Sequence, residues 1–280
     1  MGTLYVVSTP IGNLDDLTRR AEATLSRVSR VLAEDTRRTR ILLNHIGAKA
    51  RAVSVHAHNE AERIPRILGW LAAGEDLALV SDAGTPLLSD PGQRVVRACL
   101  DEGHPVVPIP GASAALAALV VSGLAGDAFV FLGFPARKGK ERKHLLARVA
   151  ASSEPAILYE SPGRIGALLE ELIPLCGRDR RVAVGREITK LHEEFFRGTL
   201  AEAFAHFGER KVRGEVTIVV APALAEVPDF EDLQSDAREL ARELLAAGAR
   251  PSRVAREVSG RLGLPRNLAY ALVHEEGEEE

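Results

Sequence analysis

The chain has 280 residues, 46% of them hydrophobic, and 36 Lys and Arg against 39 Asp and Glu give a net charge of −3. That is enough chain for two domains and a small third piece, and the charge excludes a uniformly basic nucleic-acid binder. No apolar run reaches the roughly 18 residues of a membrane span; with no signal-peptide pattern and two unpaired cysteines, Cys99 and Cys176, a cytoplasmic protein is the expectation.

In the first 125 residues strand-like and helix-like stretches alternate. "TLYVVST" reads as a strand, and "LTRRAEATLSRV" spaces Leu17, Ala21, Leu25 and Val28 along one helical face. "RVLAED", "ARAVSVH", "DLALVSD" and "PVVPIP" are further strands. The helices "TRRTRILLNHIG", "EAERIPRILGWLAAG", "GQRVVRACLDEG" and "ASAALAALVVSG" each end in or just before glycine. Strands separated by helices, without hairpin signals, predict a mainly parallel sheet covered on both faces.

A second α/β domain is expected over 126–224. "DAFVFLGF" and "EPAILYESP" are strands around a basic helix; "RRVAVGREIT", "EEFFRGTL" and "GEVTIVVAP" lie close enough together to predict a mixed sheet. "PALAEVPDFEDLQ" reads as a linker. Three short helices over 235–275, with tight glycine turns, predict a helix-turn-helix-like unit, and "EEGEEE" an acidic disordered tail. The fold class is thus α/β, with two α/β domains and a small helical C-terminal domain.

Several familiar signatures fail. "TPIGNL" stands where a dinucleotide-binding fingerprint would need G-x-G-x-x-G. "GFPARKGKE" is one residue too long for a phosphate loop and places Glu141 at the magnesium-binding position. His56 and His58 lack a third metal ligand nearby, so no metal is expected. What remains are glycine- and proline-rich turns where strands end: "STPIGN", "SDAGTP", "PGASA" and "LGFP". In a parallel sheet these turns share one edge, where ligands bind, and small residues let the backbone approach closely. With few cations among them, they suit a compact zwitterion carrying adenine, ribose and an amino-acid end rather than a polyphosphate. Asp90 is favoured as the N-cap of the helix that follows it.

Taken in order, "STPIGNLDDLTRRA", "AEDTRRTRILL", "SDAGTPLLSDPG", "PGASA", "GF" followed by basic residues, "YESPGRI" and "GREITKLHEE" resemble the ribosomal RNA small-subunit methyltransferase I family. Its members are tetrapyrrole-methylase-like, class III S-adenosylmethionine (SAM) methyltransferases. The resemblance runs to about Pro222 and extends to the short helical C-terminus; "TPIGN", in place of a "GxGPG"-like turn, favours the RNA branch. It implies SAM in the cleft between two α/β domains, a homodimer, and methylation of a cytidine ribose 2′-hydroxyl in the decoding centre of 16S rRNA; the 30S subunit is the favoured form of that substrate and free rRNA the alternative. The cofactor is expected on Pro10, Asp82, Gly84, Thr85, Pro86, Ser113, Ala114, Leu132, Gly133, Phe134, Tyr159, Glu160, Gly214 and Glu215, with Asp82 as the acceptor for an amino group or hydroxyl of SAM. A porphyrinoid methylase and a SAM-sensing nucleic-acid-binding regulator are the alternatives.

From Arg137 to Arg148 there are six Arg or Lys against one Glu. Arg137, Lys138, Lys140, Arg142 and Lys143 are expected on RNA phosphates, with Arg37, His58 and Arg186 as further RNA contacts. The terminal helices, from about Ser235 to His274, are expected to help position the substrate. Lys190 is the first candidate for chemistry. Partial desolvation would lower its pKa so that it accepts a proton; charged, it would hydrogen-bond the hydroxyl and orient it. Glu187 is placed to orient Lys190 or act in its stead. Glu34, Asp35 and Arg37 complete the site from the first domain.

Overall fold

A computed structural model describes residues 1–223 and 230–278. The chain divides into two compact units, the first running from Met1 to Ala223. Both sheets lie in this first unit.

The first sheet is all parallel, in the order β3-β2-β4-β1-β5, built from β1 (Leu4–Val7), β2 (Arg30–Ala33), β3 (Arg51–Ser54), β4 (Leu77–Val80) and β5 (Val106–Ile109). Its helices are α1 (Arg19–Arg27), α2 (Thr36–His45), α3 (Glu60–Ala72), α4 (Gln93–Asp101) and α5 (Ala114–Ser122). Central strand β4, "LALV", is buried at every position, as a strand covered on both faces must be. One face packs Leu25, Leu42 and Val80, the other Leu4, Ile67, Leu71 and Cys99. Burial pushes the Cys99 thiol up to about 11, so it is a core residue, not a nucleophile.

The second sheet is mixed, in the order β6-β7-β10-β8-β9, from β6 (Val130–Gly133), β7 (Ala156–Glu160), β8 (Arg181–Arg186), β9 (Glu194–Thr199) and β10 (Val216–Val220). Helices α6 (Lys140–Ala151), α7 (Ile165–Cys176) and α8 (Leu200–Phe207) accompany it. Strand β10 runs antiparallel to β7 and β8, with Val216 opposite both Glu160 and Arg186. The start of β10 therefore lies beside the ends of its neighbours, and three segments far apart in sequence meet at one edge.

The second unit contains α9 (Phe230–Ala246), α10 (Pro251–Leu262) and α11 (Arg266–Glu278), packed through Ala237, Ala241, Val254, Val258, Ala269 and Leu272. Helix α9 takes in Phe230 to Gln234, which the sequence assigned to a linker; residues 224 to 229 of that stretch lie outside the described residues. Helix α11 likewise continues to Glu278, into the stretch expected to be a disordered tail, whose last two residues are also outside the described set. Among the described residues no helix is long and apolar enough to cross a membrane.

Candidate active site

The carboxyl edge of the first sheet is a set of loops tied to one another. Thr9 N donates to Gly84 O (2.9 Å) and Gly84 N to Thr9 O (3.1 Å), pinning the loop after β1 to the loop after β4. Thr85 Oγ1 donates to Ala112 O at 3.2 Å, tying in the loop after β5. Gly84 has a φ of +82°, and a Cβ there would lie 3.1 Å from Ile11 Cγ2. Leu87 (φ 73°) and Ser89 (φ 69°) are also left-handed, although each costs roughly 1–2 kcal/mol in a non-glycine residue. Such outliers concentrate at ligand sites. The far end of the loop is held by a distant residue: buried Glu60 of α3 accepts from Arg94 N (2.8 Å) and Val95 N (3.1 Å), capping α4. Asp90 is therefore not the cap expected from the sequence. Gly92 occupies that position with a φ of 119°, and no side chain of its own caps the helix.

Asp90 instead lines a cavity of about 360 Å³ between the two sheets, within the size range of small-molecule sites. Asp82, Gly84, Thr85, Leu88, Ser113 and Ala114 form its first-sheet wall; Phe134, Tyr159, Glu160, Gly214, Glu215 and Thr217 form the other. Tyr159 and Phe134 approach with ring centroids 5.3 Å apart. Asp82 Oδ1 accepts from Asp35 N at 2.9 Å, and Arg38 Nε lies 3.8 Å from Oδ2. Burial first, and then the charge of Glu34, hold the Asp90 carboxyl up at about 6. Glu34 is itself raised, by burial and then by Asp82. Among the described residues no group of three or more potential ligands could hold a metal.

A second cavity, of about 240 Å³, adjoins the first: Ile11, Arg38, Asp82, Ala83 and Glu215 line both. Pro10, Leu14, Ile41, Leu42 and Lys190 belong to the smaller one alone, Pro10 among them although the sequence put it with the cofactor. Pro86, Leu132 and Gly133 line neither. Leu132 packs into the second-sheet core, and Gly133 (φ +63°) is a close-approach position, since a Cβ would lie 2.8 Å from Ser89 Oγ.

Lys190 is clamped between two carboxylates. Its Nζ donates to Glu187 Oε1 (2.8 Å) and Glu215 Oε2 (3.0 Å). Burial pulls its pKa down, but the bonds to Glu187 and Glu215 outweigh burial, and the net shift is upward. Burial likewise pushes Glu187 up and is outweighed, chiefly by the bond from Lys190, leaving it lowered. Both carboxylates favour the charged form of Lys190, which suits the second of the two roles considered for it, a hydrogen-bond donor. Glu187 (φ 51°) and Thr189 (φ 67°) form a tight left-handed turn. Two glycines make room for it: a Cβ on Gly12 would lie 2.3 Å from Lys190 Cγ, and one on Gly214 2.3 Å from Glu187 Cδ. Lys190 thus lies across the "PIGN" loop of the first sheet.

Several expected contacts are otherwise engaged. Arg142 is buried, pairing with Glu171 at 2.9 Å and reaching within 3.7 Å of Glu160. Glu160, with a wholly buried carboxylate, also pairs with Arg164 and accepts from Ser161 N (2.7 Å) through Oε1, while its Oε2 has no hydrogen-bond partner among the described residues. Arg186 donates to Glu194 (2.8 Å), Arg213 O and His192 O, which engages three of its five N–H groups. Arg37 folds back on Asp35, whose carboxyl this contact lowers to about 2. One residue further along α2, Arg38 points to the cavities instead. Arg38, Thr39, Ile41 and Leu42 share a helical face, a phase that "TRRTR" alone does not reveal. Arg137, Lys138, Lys140 and Lys143 are exposed and form no ion pair among the described residues, and His58 is exposed.

The profile of the tetrapyrrole (corrin/porphyrin) methylases matches residues 3–203. A uroporphyrin-III-C-methyltransferase from Thermus thermophilus, also solved as a complex with S-adenosylhomocysteine, shares the fold, with a TM-score of 0.57 at 20% identity over 79% of this chain and 94% of that one. A ribosomal RNA small subunit methyltransferase I from Synechocystis sp. is 46% identical, covering 97% of both chains. The protein of that name from Thermotoga maritima is 46% identical over 221 residues, 79% of this chain and 99% of its own. The chain therefore belongs to the tetrapyrrole-methylase-like, SAM-dependent methyltransferases and, within them, to the ribosomal RNA small subunit methyltransferase I family.

The large cavity fits SAM chemically. Its acidic side, Asp82 and Asp90, suits a sulfonium and an ammonium, while Tyr159, Phe134 and Ala114 give an adenosine apolar cover. The left-handed Gly84 backbone leaves that cover open, because any side chain at this position would crowd Ile11.

Proposed function

We propose that the protein methylates the ribose 2′-hydroxyl of a cytidine in the decoding centre of 16S rRNA, acting on the 30S subunit as a cytoplasmic homodimer. The observation that carries this reading is the meeting of two cavities, one acidic and fitted to SAM, at Glu215 beside Lys190. Exposed Arg137, Lys138, Lys140 and Lys143 supply an RNA-facing surface.

SAM supplies the methyl group as a sulfonium electrophile. In the transfer, the ribose oxygen forms a bond to the methyl carbon as the carbon–sulfur bond breaks, leaving a neutral thioether. Charged Lys190 donates a hydrogen bond that orients the attacking oxygen, with Glu187 and Glu215 fixing its ammonium. The hydroxyl proton leaves by way of the partly exposed Glu215 carboxylate to water.

Labelled SAM incubated with 30S subunits, free 16S rRNA, DNA and a porphyrinoid tests the reading. Label in 16S rRNA within 30S subunits, at a nucleotide resistant to alkaline cleavage on its 3′ side, is expected. Label in the porphyrinoid alone, or in none of the four, rejects it.

A further inference from the structure

The smaller cavity has a character the cofactor does not explain. It is lined by the aliphatic side chains Ile11, Leu14, Ile41 and Leu42, with Arg38 and Lys190 as its cations. Two of these aliphatic side chains are left to solvent, Ile41 64% and Leu14 37% exposed. Ile41 lies on α2 among exposed Arg37, Arg38 and Arg40, where a large apolar group gains nothing from the fold itself. At about 240 Å³ the space is too small for a macrocycle and is of nucleoside scale. It opens onto the larger cavity through Asp82, Ala83 and Glu215, as an in-line transfer between two substrates requires.

We infer that this cavity receives the acceptor nucleoside turned out of the RNA, with its base against Leu14 and Ile41 and its phosphate on Arg38. The inference rests on the reading of the α/β unit as a SAM-dependent RNA methylase. A nucleotide stacked in its strand does not bring its hydroxyl to Lys190, which is only 27% exposed; a nucleotide splayed from the strand does. The aliphatic walls hold the flat base by shape. Arg38, whose only ion-pair contact among the described residues is the 3.8 Å approach to Asp82, is available to a phosphate, whereas Arg37 is closed on Asp35.

The test uses the full chain with Ile41→Asp, Arg38→Ala and, as control, Arg37→Ala. Ile41 and Arg38 are exposed, so folding should survive, and melting temperature checks this. Three quantities are measured: KM and kcat for 30S subunits, SAM affinity by calorimetry, and filter binding of the same subunits without SAM. Ile41→Asp and Arg38→Ala are each expected to raise KM by about tenfold, and Arg38→Ala to weaken cofactor-free binding. The SAM affinity of Ile41→Asp, a position on the smaller cavity alone, and the Arg37→Ala control should stay within twofold of wild type. If the wild type methylates RNA but both variants keep its KM, the cavity is not the acceptor site, although the proposed function stands. If the SAM affinity of Ile41→Asp falls in parallel, the cavity belongs to the cofactor, and the inference is equally overturned. A wild type that methylates no RNA removes the reading on which both rest.

Discussion

Two charged stretches of similar appearance, Arg137–Arg148 and Arg186–Glu194, end in opposite states. The first carries a large excess of one sign, so it cannot neutralise itself; Arg137, Lys138, Lys140 and Lys143 remain exposed without ion pairs among the described residues. In the second, cations and carboxylates alternate and close on each other: Arg186 on Glu194, Lys190 on Glu187 and Glu215, Thr189 N on Glu193. Local charge balance, more than charge density, separates a surface awaiting an anion from a scaffold already organised. Arg142 is the exception that sharpens the contrast, because it lies in the first stretch but behaves as a member of the second.

The largest expected effect breaks that exception. Arg142→Met leaves the wholly buried Glu160 with Arg164 alone, and removing one partner of a buried ion pair costs roughly 3–5 kcal/mol. Urea denaturation should show a loss of about 3 kcal/mol, the lower end because Arg164 remains. A loss below about 1 kcal/mol would mean that Arg142 behaves as a surface cation after all. Next comes Lys190→Ala, expected to cut the single-turnover rate at saturating SAM and RNA by about 100-fold, with SAM affinity near wild type. If the rate holds, the closed charge network serves the fold only. Third, neutralising Lys138, Lys140 and Lys143 should flatten the salt dependence of RNA binding by roughly 2 log units per decade, three contacts at about 0.7 each for single strands. An unaltered slope would return this stretch to a solvated surface.

The smallest effect concerns pH. With its folded pKa raised to about 6, Asp90 favours the fold when neutral. That contribution is fully present below the ordinary carboxylate range and is lost as pH rises through about 6. Binding of a sulfonium has the opposite sign: it strengthens as Asp90 ionises. Calorimetry should therefore find SAM affinity rising severalfold through about pH 6, and Asp90→Asn should remove the rise. The same pH dependence in the variant would exclude Asp90 as its source.

The strands and helices were legible because their signals are local: a buried run such as "LALV", or a glycine at a helix end such as Gly47. The resemblance placed the cleft, and the parallel-sheet argument placed Asp82 and Gly84 on its edge. What the sequence did not disclose depends on phase and on distance. Whether Arg37 or Arg38 faces the cavity turns on a single step of 100° around α2. The burial of Arg142 depends on Glu160 and Glu171, far along the chain. Lys190 is held charged by Glu187 and, beyond it, by Glu215, which β10 brings back beside β8. The terminal helices were read as positioning the substrate.

The cap that Glu60 places on α4 has a thermodynamic consequence for the cofactor loop. The loop is anchored by β4 at one end and by a carboxylate from another helix at the other, and Thr9 and Ala112 tie it between them. Its left-handed residues are therefore ordered before any ligand arrives. A site built in this way loses little conformational entropy on association, so its affinity owes little to induced order. Glu60→Ala, at a distance from the cavity, should then appear as a less favourable entropy of SAM binding, with the contacts to the ligand unchanged.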